Sequence, residues 1–296
     1  MKILLLILVL FISLTTYAEE EKLRFSQVFT EMPATSMKTL KKSFSKESIP
    51  AWGAIAGSTG AMIYYDEQLY ADAQKRGRDW GIGNEDNTKS VFSVGQYELL
   101  RLPTDTGSFL YFLGDGWTHA GIAGGFMAAG HLSDNNYNFN TGVMLFHGML
   151  VSTVFNQTLK RSFGRESPNV STHERGNWKP FPSFKEYNTR TGSYDAMPSG
   201  HVMTATLTFT ILAERYPEYA KVIYPVAGVW VTALGFQMMN NGVHWASDYP
   251  LGIAMGYVIG KISVQMGKDE SKTKEDLKTG WMILPTFNGI LATKSF

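Results

Sequence analysis

Apolar positions recur at helical spacing along most of the chain, and polar stretches separate the runs. From Thr141 to Phe163, "TGVMLFHGMLVSTVFNQTLKRSF", apolar residues return every three or four positions, which predicts a long helix. The Gly/Ala-rich stretch from Ala51 to Gly77 reads as another helix, with Asp66 to Arg76 as its polar end. Residues 102–132 predict a helix broken near Gly114–Gly116, and further helices are expected over about 201–215, 222–240 and 246–266. A long polar loop from Gly164 to Asp195, rich in Pro, Asn, Ser and Gly, precedes those three. Residues 19–48 are charged and mixed, and predict one or two helices on the surface. The tail departs from this pattern. Asn288-Gly289 between two short apolar runs is a type I′ hairpin signal. Helices so rich in small residues pack closely, which makes the expected fold class all-α: a compact helical bundle with a small C-terminal β-hairpin. The organisation read from these shifts is a leader at 1–18, a surface segment at 19–48, a helical domain at 49–268 and the hairpin at 279–296.

The leader changes the picture of where the chain works. Lys2, the apolar run Ile3–Leu14 and the small residue Ala18 have the layout of a cleavable secretory signal, too short for a comfortable membrane span. An uncleaved anchor is the alternative. The chain has no cysteine, so disulfides and thiolate metal sites are excluded. It carries 27 Lys+Arg against 26 Asp+Glu; removing Lys2 with the signal leaves 26 against 26, a mature charge of zero. Without a basic field, nucleic acid is an improbable partner. Val222 to Ser247 holds no formal charge, yet it contains Pro225, Gln237, Asn240, Asn241 and His244. With a mean hydropathy of −0.12 for the whole chain, it reads as a buried helix of a soluble, exported, periplasmic bundle rather than a membrane span. Peripheral contact with a membrane stays open.

Three segments carry candidate chemistry. In "MPSGH", Pro198 blocks helix on its N-terminal side, Ser199 is a favoured N-cap and Gly200 leaves the backbone bare. The first N–H groups of the helix then make an anion site, with His201 beside it. In "VHWASDYP", His244 and Asp248 are four residues apart and would share a helix face. A carboxylate on one imidazole nitrogen fixes the tautomer and leaves the other as a nucleophile. In "LKRSFGRESPN", Lys160 ends a helix. Lys160, Ser199 and the N–H of Gly200 would hold the peripheral oxygens of a phosphoryl group while His201 protonates the leaving oxygen. Such a site needs no metal and no cofactor. His119, His131, His147 and His173 fit no metal-ligand spacing and read as core or surface residues; the Met238-Met239 pair reads as core packing.

In this order and spacing the three segments resemble the type 2 phosphatidic-acid phosphatase superfamily, which includes bacterial acid phosphatases, lipid phosphatases and vanadium haloperoxidases. The resemblance spans roughly residues 105–265 and implies an acid phosphatase/haloperoxidase-like bundle. It also implies His244 as the nucleophile forming a phosphohistidine, Asp248 as its orienter and His201 as the general acid. Two positions depart. The family has Arg-Pro seven residues after the lysine, where this chain has Ser167-Pro168, and its Ser-Arg pair falls on Gln237-Met238. Each lost charge-assisted contact is worth roughly 1.5–3 kcal/mol. Arg165, two residues before the empty position, is a candidate substitute phosphate ligand, and Asn240 and Asn241 offer neutral donors. The expected function is an exported phosphatase acting on a phosphomonoester or a lipid (pyro)phosphate. The alternative is a weak or inactive relative that binds an anion or lipid headgroup. Haloperoxidase chemistry ranks third, since vanadate needs the same cationic clamp.

Overall fold

The computed structural model describes residues 20–95, 97–267, 281–286 and 289–294; the expected signal segment 1–18 lies outside them. The N-terminal segment folds as α1 (Gln27–Thr30) and α2 (Met32–Ser43), followed by α3 (Ile49–Asp79). The central bundle comprises α4 (Thr106–Phe112), α5 (Gly116–Leu132), α6 (Asn136–Phe163), α8 (Gly200–Arg215), α9 (Ala220–Asn240) and α10 (Tyr249–Ser263). Short helix α7 (Phe184–Thr189) sits in the loop before α8. The helices start where the sequence supplies a cap. Asp105, Asp115 and Asn135 accept from Ser108, Trp117 and Asn138 N–H groups at the starts of α4, α5 and α6. The expected break near Gly114–Gly116 is the α4–α5 junction. Helix α6 ends at Gly164, whose φ of 57° closes the turn; a Cβ there would strike the Lys179 carbonyl.

The core gathers Phe126 of α5, Leu145 and Val151 of α6, Met203, Leu207 and Ile211 of α8, and Ile259 of α10. Helix α10 lies against α8 so closely that a Cβ at Gly252 would come within 2.8 Å of the Ser199 carbonyl, and one at Gly256 would strike that of Met203. A smaller cluster, Leu113, Val202, Ala205, Leu234 and Met238, joins α9 to α8.

Burial corrects two expectations. The uncharged run Ile49–Tyr65 of α3 contains no buried residue, whereas Asp66, expected on the polar end, is fully buried. Helix α9 was expected to be buried, but its N-terminal half shows Val222, Tyr224, Val226 and Val229 to solvent, Val229 at 72%. Among the described residues, Pro217–Asn240 is the one helix long and apolar enough to cross a membrane.

Two antiparallel hairpins complete the described structure. Strands β3 (Trp281–Thr286) and β4 (Gly289–Lys294) form the C-terminal one. Its register pairs Thr286 with Gly289, so Gly289 begins a strand instead of sitting in the turn. Strands β1 (Thr88–Val94) and β2 (Tyr97–Pro103) form a hairpin that the helical pattern did not suggest, although Val, Phe and Tyr recur there around Gly95 at φ 61°.

Candidate active site

The "PSGH" segment folds as its residues dictate. The Met197–Pro198 peptide is cis, and Ser199 takes an extended conformation (φ −69°, ψ 113°) from which α8 starts at Gly200. The Ser199 hydroxyl accepts from the Val202 N–H at 3.4 Å, capping the helix, and the residue is fully buried. Ser199 therefore acts as an N-cap rather than lining the cleft, a correction to its expected role as a phosphate ligand. Gly200 does line it: a cleft of about 210 Å³ is bounded by Gly114, Ser152, Asn156, Lys160, Gly200 and His201, among others. A Cβ on Gly200 would lie 2.6 Å from Asn156 Nδ2, so only glycine lets the Asn156 amide approach the helix start.

His244 precedes α10 in a loop, and Asp248 closes a short 3-10 turn, Ala246–Asp248; the two do not share an α-helical face as expected. They meet all the same, with His244 Nδ1 3.6 Å from Asp248 Oδ2. The shorter contact of Nδ1 is to the Ala196 carbonyl oxygen, at 2.6 Å. A carbonyl only accepts, so Nδ1 carries the proton and Nε2 keeps a free lone pair. The His201 and His244 rings lie 5.9 Å apart, centre to centre, at 70°. Tyr111 packs edge-on against the other side of His201 at 4.8 Å. Burial, reinforced by His244, Lys160 and His119, holds the His201 imidazole well below its ordinary pKa and favours its neutral form.

Lys160 is the cation of the cleft. Its ammonium lies 3.3 Å from Asp195 Oδ2, which offsets part of its charge. Arg165 does not reach the cleft. Its guanidinium is fully buried, with Nη1 bonded to Asp248 Oδ1 (2.6 Å) and Ser247 Oγ (2.7 Å), and Nη2 to Asp66 Oδ2 (2.8 Å) and the Arg175 carbonyl (2.8 Å). Two carboxylates hold it away from any ligand, which corrects its expected place as a phosphate ligand. Burial by itself would raise the Asp248 carboxyl, but Arg165, His244 and the Trp245 N–H together outweigh it, and the pKa falls below the ordinary value. Asn240 is likewise committed: its Nδ2 donates to the Gly83 carbonyl at 3.0 Å, and Asn241 accepts from Gln237. Met238, expected from the resemblance to stand at the family's arginine position, is fully buried among apolar side chains.

The fold thus brings Lys160, Gly200, His201, His244 and Asp248 together and diverts Ser199 and Arg165. It also adds three groups that sequence reasoning missed. Asn156 was findable, since it lies one helical turn before Lys160 on the same face. The Ala196 carbonyl is backbone and has no signature, and Asp66 lies 182 positions before Asp248, with nothing to link them. The arrangement can present a nucleophilic imidazole, a second imidazole able to exchange a proton, and a lysine, an amide and a helix start facing an anion.

Residues 141–272 match the family model of the PAP2 superfamily. A solved structure of a transmembrane PAP2-type phosphatidylglycerolphosphate phosphatase from Bacillus subtilis is similar at 16% sequence identity and a TM-score of 0.45, covering 86% of this chain and 97% of that one. A search of curated proteins matched none.

Proposed function

We propose, on the match of residues 141–272 to the PAP2 superfamily model, that the chain is an exported phosphatase of that superfamily that cleaves a phosphate ester through His244. The observation that carries this is the 2.6 Å bond from His244 Nδ1 to the Ala196 carbonyl, because it assigns Nδ1 as the donor and makes Nε2 the lone-pair nitrogen of the neutral ring, with His201 at the start of α8 lying 5.9 Å away ring to ring. Nε2 attacks phosphorus, the ester P–O bond breaks, and the leaving oxygen takes a proton from His201. The approaching phosphate's negative charge favours the protonated form of His201, which burial disfavours. Water then attacks the phosphohistidine, giving its proton to His201, and phosphate leaves. Lys160, the Asn156 amide and the first N–H groups of α8 hold the non-bridging oxygens.

The substrate we propose is an amphiphile, a lipid phosphate or pyrophosphate, met at the outer face of a membrane. The exposed apolar residues of α3 and α9, from Ile49 and Trp52 to Val222, Val226 and Val229, support peripheral contact with lipid. Purified mature protein assayed with an aryl phosphate and with lipid phosphates in mixed micelles tests both halves. Turnover lost in His244→Ala with the fold intact is the expected result; full turnover in that variant refutes the mechanism. A preference for the aryl phosphate over every lipid refutes the substrate class. A second reading, an anion-binding relative without turnover, is favoured by one observation. The two clamp arginines are replaced, and the remaining lysine is already paired with Asp195. Phosphate binding by a wild type inert toward all these esters selects it.

A further inference from the structure

Behind His244 lies a cluster of buried charge that the proposed reaction does not use directly. Asp66 reaches it from α3, outside the family-matched region, and Arg165 from the loop after α6. Asp66, Arg165 and Asp248 are each fully buried. Asp66 Oδ2 accepts from Arg165 Nη2 at 2.8 Å and from the Ser247 hydroxyl at 2.5 Å, and Oδ1 accepts from the Ser247 N–H at 3.0 Å. Arg165 Nη1 bridges to the Ser247 hydroxyl and to Asp248 Oδ1. Asp248 Oδ2 accepts from the Trp245 N–H at 2.7 Å and faces His244 Nδ1. Every polar atom of Asp66 is thus spent on the two residues that fix Asp248.

The charges do not balance. Two carboxylates flank one guanidinium, so the cluster carries a formal charge of −1 with no solvent to screen it. The neighbouring Tyr249 hydroxyl feels it: burial first, then Asp248 and Asp66, push its pKa well above the ordinary value, and it stays neutral, donating to the Gly235 carbonyl. Removing one partner of a buried pair is costly, so such a surplus persists only where the surrounding bonds enforce it. When Nε2 bonds to phosphorus, the imidazole gains positive charge, and a fixed negative charge behind Nδ1 stabilises that state more than the ground state.

We propose that Asp66 is a positioning residue for phosphoryl transfer: through Arg165 and Ser247 it holds the Asp248 carboxylate and supplies the unbalanced negative charge behind His244. This rests on His244 being the nucleophile, as proposed above. The test reads His244 directly, with potassium phosphoramidate as the probe. Nε2 forms a bond to phosphorus as the P–N bond of the probe breaks, and ammonia departs with the proton already on nitrogen. The labelling rate at His244 is followed by phosphorus NMR and peptide mass over a range of probe concentrations. Asp66→Asn should lower the maximal rate at least about tenfold without changing the half-saturating concentration, because the change acts on the nucleophile and not on the anion cradle. Asp66→Asn combined with Asp248→Asn should be no slower than Asp248→Asn alone, since both act along one path. A folded Asp66→Asn protein with the wild-type rate, or multiplicative losses in the double variant, overturns the inference. Should Asp66→Asn fail to fold, Ser247→Ala removes the bridging hydroxyl and keeps all three charges; a loss of about threefold or more is expected, and the wild-type rate overturns the inference. Labelled wild-type protein that hydrolyses no ester refutes the proposed function alone. Wild-type protein unlabelled at His244 overturns the inference.

Discussion

By the resemblance, Met238 is expected to stand where the family has a phosphate-clamping arginine. It is fully buried beside Leu234, Val202 and Leu113, so an arginine there would enter an apolar cluster. Met238→Arg should destabilise the protein by about 3–5 kcal/mol, the cost of an unpaired buried charge, read as a lower midpoint in urea. An unchanged midpoint would mean the guanidinium finds the cleft after all. Lys160 offers the opposite experiment. Its ammonium is shared with Asp195 at 3.3 Å, and that carboxylate also opposes an incoming anion. Asp195→Asn should tighten vanadate binding by about three- to tenfold, a modest gain because the pair is partly exposed. Calorimetric titration of both proteins decides it, and weaker binding in the variant would show that Asp195 positions the lysine instead.

At the scale of elements, the cradle depends on how closely α10 approaches α8. A methyl at position 256 strikes the Met203 carbonyl, and one at 252 meets the carbonyl of Ser199, the cap that starts α8. Gly256→Ala should therefore cost about 1–3 kcal/mol by overpacking, seen as a lower melting temperature, and wild-type stability would show that the helices slide apart freely. The helical elements were legible because their apolar spacing, Asp and Asn caps and Gly164 stop are local signals. Asp248 was legible as a candidate through motif order, but not its 3-10 turn, since Trp245–Asp248 is shaped by the Trp245 N–H donating to Asp248 Oδ2 and the Ser247 N–H donating to Asp66 of α3. The β1–β2 hairpin was not legible because it is a short pair of strands whose register shifts around Phe92, flanked on either side by helical spacing.

For the whole molecule, acid is the revealing variable. Burial lowers the pKa of His119 to about 4, with the Leu113 carbonyl only partly opposing it, and burial lowers that of His147 too. A buried histidine with a depressed pKa stays neutral when folded and takes up a proton on unfolding. Stability from His119 is therefore complete above about pH 6.5 and is lost as the pH falls toward 4, amounting to about 3 kcal/mol. His119→Gln, which keeps a donor for the Leu113 carbonyl, should flatten the stability curve between pH 6.5 and 4; an equally steep curve would assign the slope to other groups. The exposed faces of α3 and α9 predict a second global property. The mature protein should sediment with anionic lipid vesicles, and Val226→Asp with Val229→Asp should release it. Equal sedimentation of the variant would put the contact elsewhere.

The sequence by itself determined the helical class and the caps, because each rests on spacing along the chain or on a local backbone preference, and it marked His244, His201, Asp248 and Lys160 as candidates through motif order. Tertiary structure alone decided what those residues touch. It gave His244 Nδ1 a backbone carbonyl as its nearest partner, buried Ser199 away from the cleft and exposed the apolar faces of α3 and α9. It also drew Arg165 away from the cleft. The reason is energetic: a buried guanidinium goes where carboxylates can neutralise it, and Asp66, distant in sequence, was waiting on another helix.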